Sequence, residues 1–415
     1  MTDAAPAHRA AERAARQSYG KLVAYLATRT GDVATAEDAL ADAFAAALAS
    51  WPTRGLPQAP EAWLLAAARR RIIDMARRRR TSEAATDRLQ LSAEEAAAGM
   101  DPDVPDWRLR LMFACAHPAI DAPIRGPLIL QTVLGLDAAA IAAAFLTAPK
   151  AMSQRLVRAK RRIHDAGIPF SLPDRAELPA RLDAVLEAIY AAFGAGWPDP
   201  DGLDGRRQGL LDEAVWLGRV VVELLPAEPE GLGLLALMLY AGARRAARRS
   251  ADGDYVPLSE QDPALWDPAA IDEAERLLQR ASSLGRLGRF QLEAAVQSVH
   301  AARRTSGRTD WGSILKLYNG LLALTRSPVV AVNRAVALSE TAGPATGLAA
   351  LDELAQDPRL AAYQPYWAAR AELLARLGRR KSADAAYAQA ILLEPDMAVR
   401  RFLEQRRTRI RPNFA

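Results

Sequence analysis

The sequence predicts an all-α protein. Alanine and leucine dominate its 415 residues, β-branched residues are sparse, and no strict alternation of apolar and polar residues persists beyond a few positions. Glycine and proline then mark the connections between helices. Half of the residues are apolar, which supports a packed core in a chain long enough for several domains.

Two helices are predicted at the N terminus, over about residues 8–29 and 33–50, separated at Gly31. Apolar residues recur on one face of the second helix. Its other face carries three carboxylates, those of Glu37, Asp38 and Asp42.

Residues 51–60 contain three prolines and one glycine, so we expect no helix there. The next helix is predicted to begin near Glu61, with Pro60 in its first turn, and to end near Arg80. Such a constrained loop can stack on or hydrogen-bond unpaired bases through nearby aromatic and polar groups. These groups are Trp51, Arg54, Gly55, Gln58 and Trp63, although Trp63 taken alone is more typical of a helix core.

The third helix concentrates positive charge. Seven arginines lie within residues 69–80, opposed only by Asp74. Because guanidinium groups bind phosphate bidentately, this helix suits a nucleic-acid backbone, and a solvated charged face is the alternative. The seven are Arg69, Arg70, Arg71, Arg77, Arg78, Arg79 and Arg80.

The overall net charge of +5 conceals an uneven distribution. It is +5 over residues 1–80, −6 over 81–106, +6 over 107–170 and zero over 171–415. We therefore predict four segments: a basic helical domain, an acidic linker, a second basic helical domain and a neutral helical domain.

The second basic segment contains a helix-turn-helix pattern. Asp137 is a good N-cap for a short helix ending near Phe145, and a second helix begins near Lys150 after a turn. The buried stripe of the second helix is predicted to be Met152, Leu156, Ala159 and Ile163. As a recognition helix it would present Lys150, Ser153, Gln154, Arg155 and Arg158 to base edges, and Lys160, Arg161 and Arg162 to phosphates. Other helical hairpins share this pattern.

Composition argues against several classes. A single cysteine, Cys115, and four scattered histidines form no metal-ligand cluster, and there is no nucleophile-and-base pair or phosphate loop. An enzyme is therefore the least favoured class, and we expect no catalytic site, cofactor or metal. With no bilayer-length apolar run and no signal peptide, we expect a cytoplasmic protein that does not bind membranes.

The C-terminal segment shows a repeat. Eight residues fall at the positions of a 34-residue tetratricopeptide repeat, namely Trp367, Ala371, Leu374, Gly378, Ala383, Tyr387, Ala390 and Pro395. Arg370 stands where leucine is usual. Closing prolines at 328, 358 and 395 indicate degenerate repeats, and an irregular helical domain is the alternative.

Three stretches together resemble regions 2 and 4 of a sigma factor of the extracytoplasmic-function group. They are AEDALADAFAAALASW (36–51), PEAWLLAAARRRIIDMARRRR (60–80) and SQRLVRAKRRI (153–163). The resemblance covers about residues 8–170. A subgroup with a C-terminal tetratricopeptide-like extension is similar across nearly the whole chain, including the loop from Ala251 to Asp267.

The resemblance implies a function and a set of roles. The chain would bind core RNA polymerase, through its β and β′ subunits, and direct it to promoter DNA. Glu37, Asp38 and Asp42 would dock on the polymerase. The −10 element would be read by Arg54, Gly55, Pro57, Gln58, Arg69, Arg70 and Arg77, and the −35 element by Lys150, Ser153, Gln154, Arg155, Arg158 and Arg161.

Residues 171–415 would modulate activity by contacting the first 170 residues or by binding a protein or small-molecule partner. Two other classes stay open: a repeat scaffold whose basic half binds nucleic acid nonspecifically, and a helix-turn-helix regulator with a helical sensor domain.

Overall fold

The computed structural model describes residues 5–79, 107–145, 147–170, 173–174, 177–196 and 210–410. Over these residues the chain forms α-helices and short 3₁₀ turns, with an isolated β-bridge between Arg249 and Tyr255. The all-α prediction is therefore confirmed. The predicted linker, 81–106, lies outside the described residues.

The chain divides into two compact units, Met1–Val220 and Val221–Ala415. The helices that begin in the first unit are α1 (Ala5–Thr30), α2 (Val33–Arg54), α3 (Pro60–Arg79), α4 (Trp107–Cys115), α5 (Ala122–Thr132), α6 (Ala138–Ala144), α7 (Pro149–Asp165), α8 (Leu178–Gly196) and α9 (Leu210–Leu224). The second unit contains α10 (Pro229–Ala243), α11 (Pro268–Ser283), α12 (Arg289–Ala301), α13 (Arg303–Ser306), α14 (Trp311–Thr325), α15 (Pro328–Ala342), α16 (Pro344–Glu353), α17 (Gln364–Arg376), α18 (Arg380–Leu393) and α19 (Met397–Ile410).

The prediction that residues 51–60 are not helical is wrong in part, because α2 continues to Arg54 with Pro52 inside its last turn. A proline there forgoes one backbone hydrogen bond, and burial of the Trp51 side chain offsets this cost. The helix ends at Gly55, whose N–H donates to the carbonyl of Trp51 across 3.0 Å.

The first unit joins the two basic segments through α1. This helix packs against α2 and α3 on one side and against α4 and α5 on the other. Gly20 makes the close approach possible, because a Cβ at this position would overlap the carbonyl oxygen of Val133. The ring of Tyr19 lies beside Gly135 in the same contact.

The first unit also extends past the predicted boundary at residue 170. Helix α8 packs on α5, and the compact unit continues to Val220. The boundaries proposed from the sequence stay predictions, but the core of the 107–170 segment has neighbours from beyond its predicted end.

In the second unit, successive helices pack as neighbours. Helices α17 and α18 pack against each other, and the chain turns between them at Gly378, with φ of 71°; that they form a tetratricopeptide repeat stays a prediction. Arg370, at the position where leucine is usual, contacts the carboxylate of Asp352 on α16. The pair shares one apolar core, to which the repeat positions contribute Trp367, Ala371, Leu374, Ala383, Tyr387 and Ala390.

Candidate nucleic-acid interface

Helix α6 ends at Ala144 and α7 begins at Pro149, and the two helices pack against each other. Asp137 caps α6, its carboxylate accepting from the N–H groups of Ala139 and Ala140 at 3.0 and 2.8 Å. The N–H of Thr147 donates to the carbonyl of Ala142, and Pro149 then begins α7.

Helix α7 has one buried face and one exposed face. The predicted stripe of Met152, Leu156, Ala159 and Ile163 is buried. The opposite face is exposed and carries the predicted DNA-contacting residues Lys150, Ser153, Gln154, Arg155, Arg158 and Arg161. The fold therefore brings these six side chains onto one surface, with a strong excess of positive charge.

Val157 belongs to the same exposed surface, although it is not among the residues predicted to contact DNA. Its side chain is 59% exposed. It lies one turn after Ser153 and Gln154 and next to Arg158. Its i, i+3 and i+4 spacing from those polar residues is the sequence signal that places it on this face. An apolar side chain at a DNA-binding surface can contact thymine methyl groups.

The loop between α2 and α3 presents a second exposed surface. Arg54 and Gln58 are exposed, as is Gly55, and Pro57 is half-buried. Gly55 adopts φ of 86°, a left-handed conformation that strongly favours glycine, although a Cβ there would meet open space. Glycine is thus required here by backbone conformation.

The arginines of α3 do not all face solvent. Arg69 stacks on the ring of Tyr25 in α1, with its Cζ 5.0 Å from the ring centre. Arg71 donates to Asp42 across 2.5 Å, in an exposed ion pair between α3 and α2. Arg70 is exposed, whereas Arg77 lies in α3 and its side chain is outside the described residues.

Trp51 is not available for base stacking, contrary to the sequence analysis. It is 3% exposed, inside α2, and packs edge-on against Trp63 with 5.5 Å between ring centres. Trp63 is half-buried in this pair. Both indoles therefore pack in the helical core, which was the alternative stated above for Trp63.

The three carboxylates of α2 differ in their surroundings. Asp38 is exposed, and Asp42 is paired with Arg71. Glu37 accepts from Lys160 of α7 across 2.6 Å, and their side chains are only 17% and 16% exposed. Lys160, expected to meet DNA phosphates, is thus bound to a residue expected to meet polymerase.

The surroundings of this ion pair are poorly solvated. Burial raises the pKa of Glu37, and the charge of Lys160 opposes that rise. Burial, followed by the charges of Glu37 and Asp38, raises the pKa of Tyr19 well above its usual range. Cys115 is fully buried, which raises its pKa to about 12, and its Sγ lies 3.4 Å from the hydroxyl of Thr132. The Cys115 thiol therefore stays protonated and is part of the packed core, where it does not reach solvent.

The acidic loop from Ala251 to Asp267 uses its carboxylates structurally. Asp262 caps a 3₁₀ turn and Asp267 caps α11, each accepting from backbone N–H groups at 2.9 Å. Asp254 pairs with Arg401. Among the described residues, no three His, Cys, Asp or Glu side chains group as metal ligands would.

No helix in the described ranges is both long and apolar enough to span a membrane.

Comparison with known proteins supports the N-terminal assignment. Residues 15–82 match sigma-70 region 2, a stretch that contains most of α1 and all of α2 and α3. Residues 181–282 match a family of unknown function (DUF6596). An uncharacterized protein of Rhizobium meliloti (strain 1021) is 39% identical over 399 residues, covering 95% of this chain and 93% of the relative.

Because sigma-70 region 2 is the part of a sigma factor that binds core RNA polymerase, the match implies that polymerase is a partner. The chain therefore contains a sigma-70 region 2 at residues 15–82, and over its full length it belongs to the same family as the uncharacterized Rhizobium meliloti protein.

Proposed function

We propose that this protein is a sigma factor of the extracytoplasmic-function group, which binds core RNA polymerase and directs promoter-specific initiation of transcription. The observation that carries the proposal is the sigma-70 region 2 match at residues 15–82, followed in the same compact unit by α7 with its exposed basic face. The polymerase performs the chemistry, and this chain supplies recognition.

The exposed face of α7 supports a role in reading the −35 element. Its polar side chains stand on a rigid helix held by four buried residues, so they are presented in a fixed register. Arg155 and Arg158 suit bidentate contact with guanine, and Gln154 suits contact with adenine. The loop at Arg54, Gly55, Pro57 and Gln58, with Arg70 on α3, is proposed to contact the −10 element.

The acidic face of α2 is proposed to bind the polymerase. Asp38 is exposed there, whereas Glu37 is held by Lys160. Docking through Glu37 therefore requires that Lys160 be displaced. Polymerase and Lys160 of α7 would then compete for the Glu37 carboxylate. Promoter DNA would attract Lys160 to its phosphates and would therefore favour the state in which Glu37 is free to bind polymerase.

Run-off transcription tests the proposal. Purified chain is added to core polymerase on a fragment carrying a promoter mapped by transcription start sites after overexpression. We expect a promoter-dependent transcript that core polymerase alone does not make. No such transcript, together with no copurification of stoichiometric β and β′ subunits, would instead favour the nonspecific nucleic-acid scaffold.

The second unit is proposed to modulate this activity as a tetratricopeptide-like module. A chain ending after Leu224 retains α8 and α9, whereas a chain ending at residue 170 would lose the α8 contact with α5. We expect the chain ending after Leu224 to differ from the full chain in transcript yield or polymerase affinity. Equal values for both chains would contradict modulation.

A further inference from the structure

Four arginines lie within six residues directly after α10, namely Arg244, Arg245, Arg248 and Arg249. Arg249 binds Asp396, the residue just before α19, across 2.5 Å, and both side chains are largely buried, at 14% and 13% exposed. This pair fixes the segment after α10 to the start of α19 inside the second unit.

Within the described ranges, Arg244 is not paired with a carboxylate. Its Nη2 donates to the amide oxygen of Gln297 on α12 across 2.6 Å. Burial, with the nearby charges of Arg248 and Arg303, lowers the pKa of Arg244 to about 10. In the described part of the chain, the guanidinium of Arg244 is hydrogen-bonded to a neutral group and faces other cations.

The hydrogen-bond partners of Arg303 are also neutral groups. Its guanidinium donates to the backbone carbonyls of Leu258, Ser259 and Gln261 at 2.5–3.0 Å. It also lies over the indole of Trp266, 5.1 Å from the ring centre. Neither contact supplies negative charge, although the carbonyls partly solvate the guanidinium.

An unsatisfied polar atom and a buried histidine lie close to these two arginines. Trp266 is 2% exposed, and its Nε1 donor has no hydrogen-bond partner among the described residues. His300 follows Gln297 by one helical turn, and burial together with the charges of Arg244 and Arg303 lowers its pKa to about 4. The cluster formed by Arg244, Arg303, His300 and Trp266 therefore combines hydrogen-bond donors with uncompensated positive charge.

We propose that the cluster of Arg244, Arg303, His300 and Trp266 binds the phosphate group of a small molecule. A buried charge without a counter-ion is costly, and a phosphate dianion would neutralise both guanidinium groups at once. A carboxylate carries one negative charge and would leave one arginine uncompensated. Guanidinium groups also match the tetrahedral oxygens of phosphate bidentately, and the indole N–H adds a further donor.

The site is independent of the promoter-binding proposal, since it lies in the second unit. Arg244 and Trp266 both fall within residues 181–282, the stretch that matches a family of unknown function. A phosphate here would connect α10, the 250–267 loop and α12, which already meet through Gln297 and the carbonyl contacts of Arg303.

Thermal unfolding of the full chain tests the site with inorganic phosphate as probe. Phosphate also stabilises proteins nonspecifically, so the rise in Tm is compared with the rise caused by sodium chloride at equal ionic strength. The same rise is then measured for the variants Arg244→Gln and Arg303→Gln. We expect millimolar phosphate to raise the wild-type Tm by about 2–4 °C more than it raises the Tm of either variant. Arg359→Gln, which removes an exposed arginine paired with Asp357, is the matched control and should respond as wild type.

Trp266→Phe refines the test, because phenylalanine retains the aromatic surface under Arg303 and removes the N–H donor. Equilibrium dialysis should show phosphate binding about tenfold weaker for this variant. Dialysis of the wild-type chain also decides the proposal if the arginine variants do not fold. Absence of saturable phosphate binding, an equal response in Arg244→Gln and Arg303→Gln, or equal stabilisation by succinate would each overturn the phosphate site.

Discussion

Lys160 donates a hydrogen bond to Glu37 across 2.6 Å, and this ion pair joins α7 to α2 inside the first unit. The two residues are 123 positions apart, on either side of the 81–106 segment. The bond brings the region expected to contact polymerase and the region expected to contact DNA into one packed structure. It gives the first prediction.

Lys160→Met should destabilise the first unit by about 1–3 kcal/mol near pH 7.5, because it leaves a buried carboxylate without its cation. Burial already raises the pKa of Glu37 in the folded state. The lost stability should therefore shrink as the pH falls through that raised pKa, since a protonated Glu37 needs no cation. Urea unfolding from pH 8 to pH 5 measures this change.

A double-mutant cycle supplies the control. Lys160→Met combined with Glu37→Gln should lose less stability than the sum of the two single changes. Arg161→Met, which removes an exposed charge from the same helix, should leave stability nearly unchanged. Additive losses, or a loss from Lys160→Met that is constant with pH, would show that the ion pair has no energetic role.

Gly20→Ala should destabilise the first unit by about 1–3 kcal/mol, since the added methyl group would overlap the carbonyl of Val133 and force α1 away from the end of α5. Gly194→Ala in α8 is the matched control. A Cβ there meets nothing within 4 Å, so alanine should stabilise the helix by up to about 1 kcal/mol. Thermal unfolding of both variants compares the two effects, and a neutral Gly20→Ala would mean that α1 and α5 do not pack this closely.

Arg155→Ala should weaken discrimination of the −35 element by about 1–3 kcal/mol if its guanidinium contacts a base. A phosphate contact would instead weaken binding about equally on all sequences. Footprinting of the polymerase complex on wild-type and substituted −35 elements separates these outcomes. Arg359→Ala in the second unit is the charge-matched control, and a footprint unchanged by Arg155→Ala would remove α7 from the DNA interface.

His300 should make the second unit acid-sensitive. Its pKa is about 4 in the folded state and about 6.5 in the unfolded chain, so the unfolded chain binds more protons between these values. The free energy of unfolding should therefore be highest above pH 6.5, and it should fall by up to about 3 kcal/mol as the pH approaches 4. Urea unfolding at pH 7 and pH 5 tests this.

The variant His300→Gln should flatten this pH dependence, because glutamine does not titrate. His164→Gln, at an exposed position of α7, should retain the wild-type profile. An identical slope in wild type and His300→Gln would assign the acid sensitivity to other groups.

Local sequence determined most of the helices. Apolar spacing fixed the buried stripe of α7, Asp137 fixed the start of α6, and Pro60 fixed the start of α3, because caps and periodicity act within one or two turns of the chain. The same spacing correctly placed five polar residues, Lys150, Ser153, Gln154, Arg155 and Arg158, on the exposed face of α7. Local propensity failed at residues 51–54, where burial of Trp51 carries α2 through Pro52.

Tertiary structure alone decided which charged groups meet. Charge counts along the chain cannot show that Lys160 reaches Glu37, that Arg69 stacks on Tyr25, or that Arg303 lies over Trp266. Each contact joins residues distant in sequence, and its strength depends on burial that only the packed helices create. The sequence by itself established a helical protein with two basic segments, and the packing decided which of those charges face solvent and which are already bound.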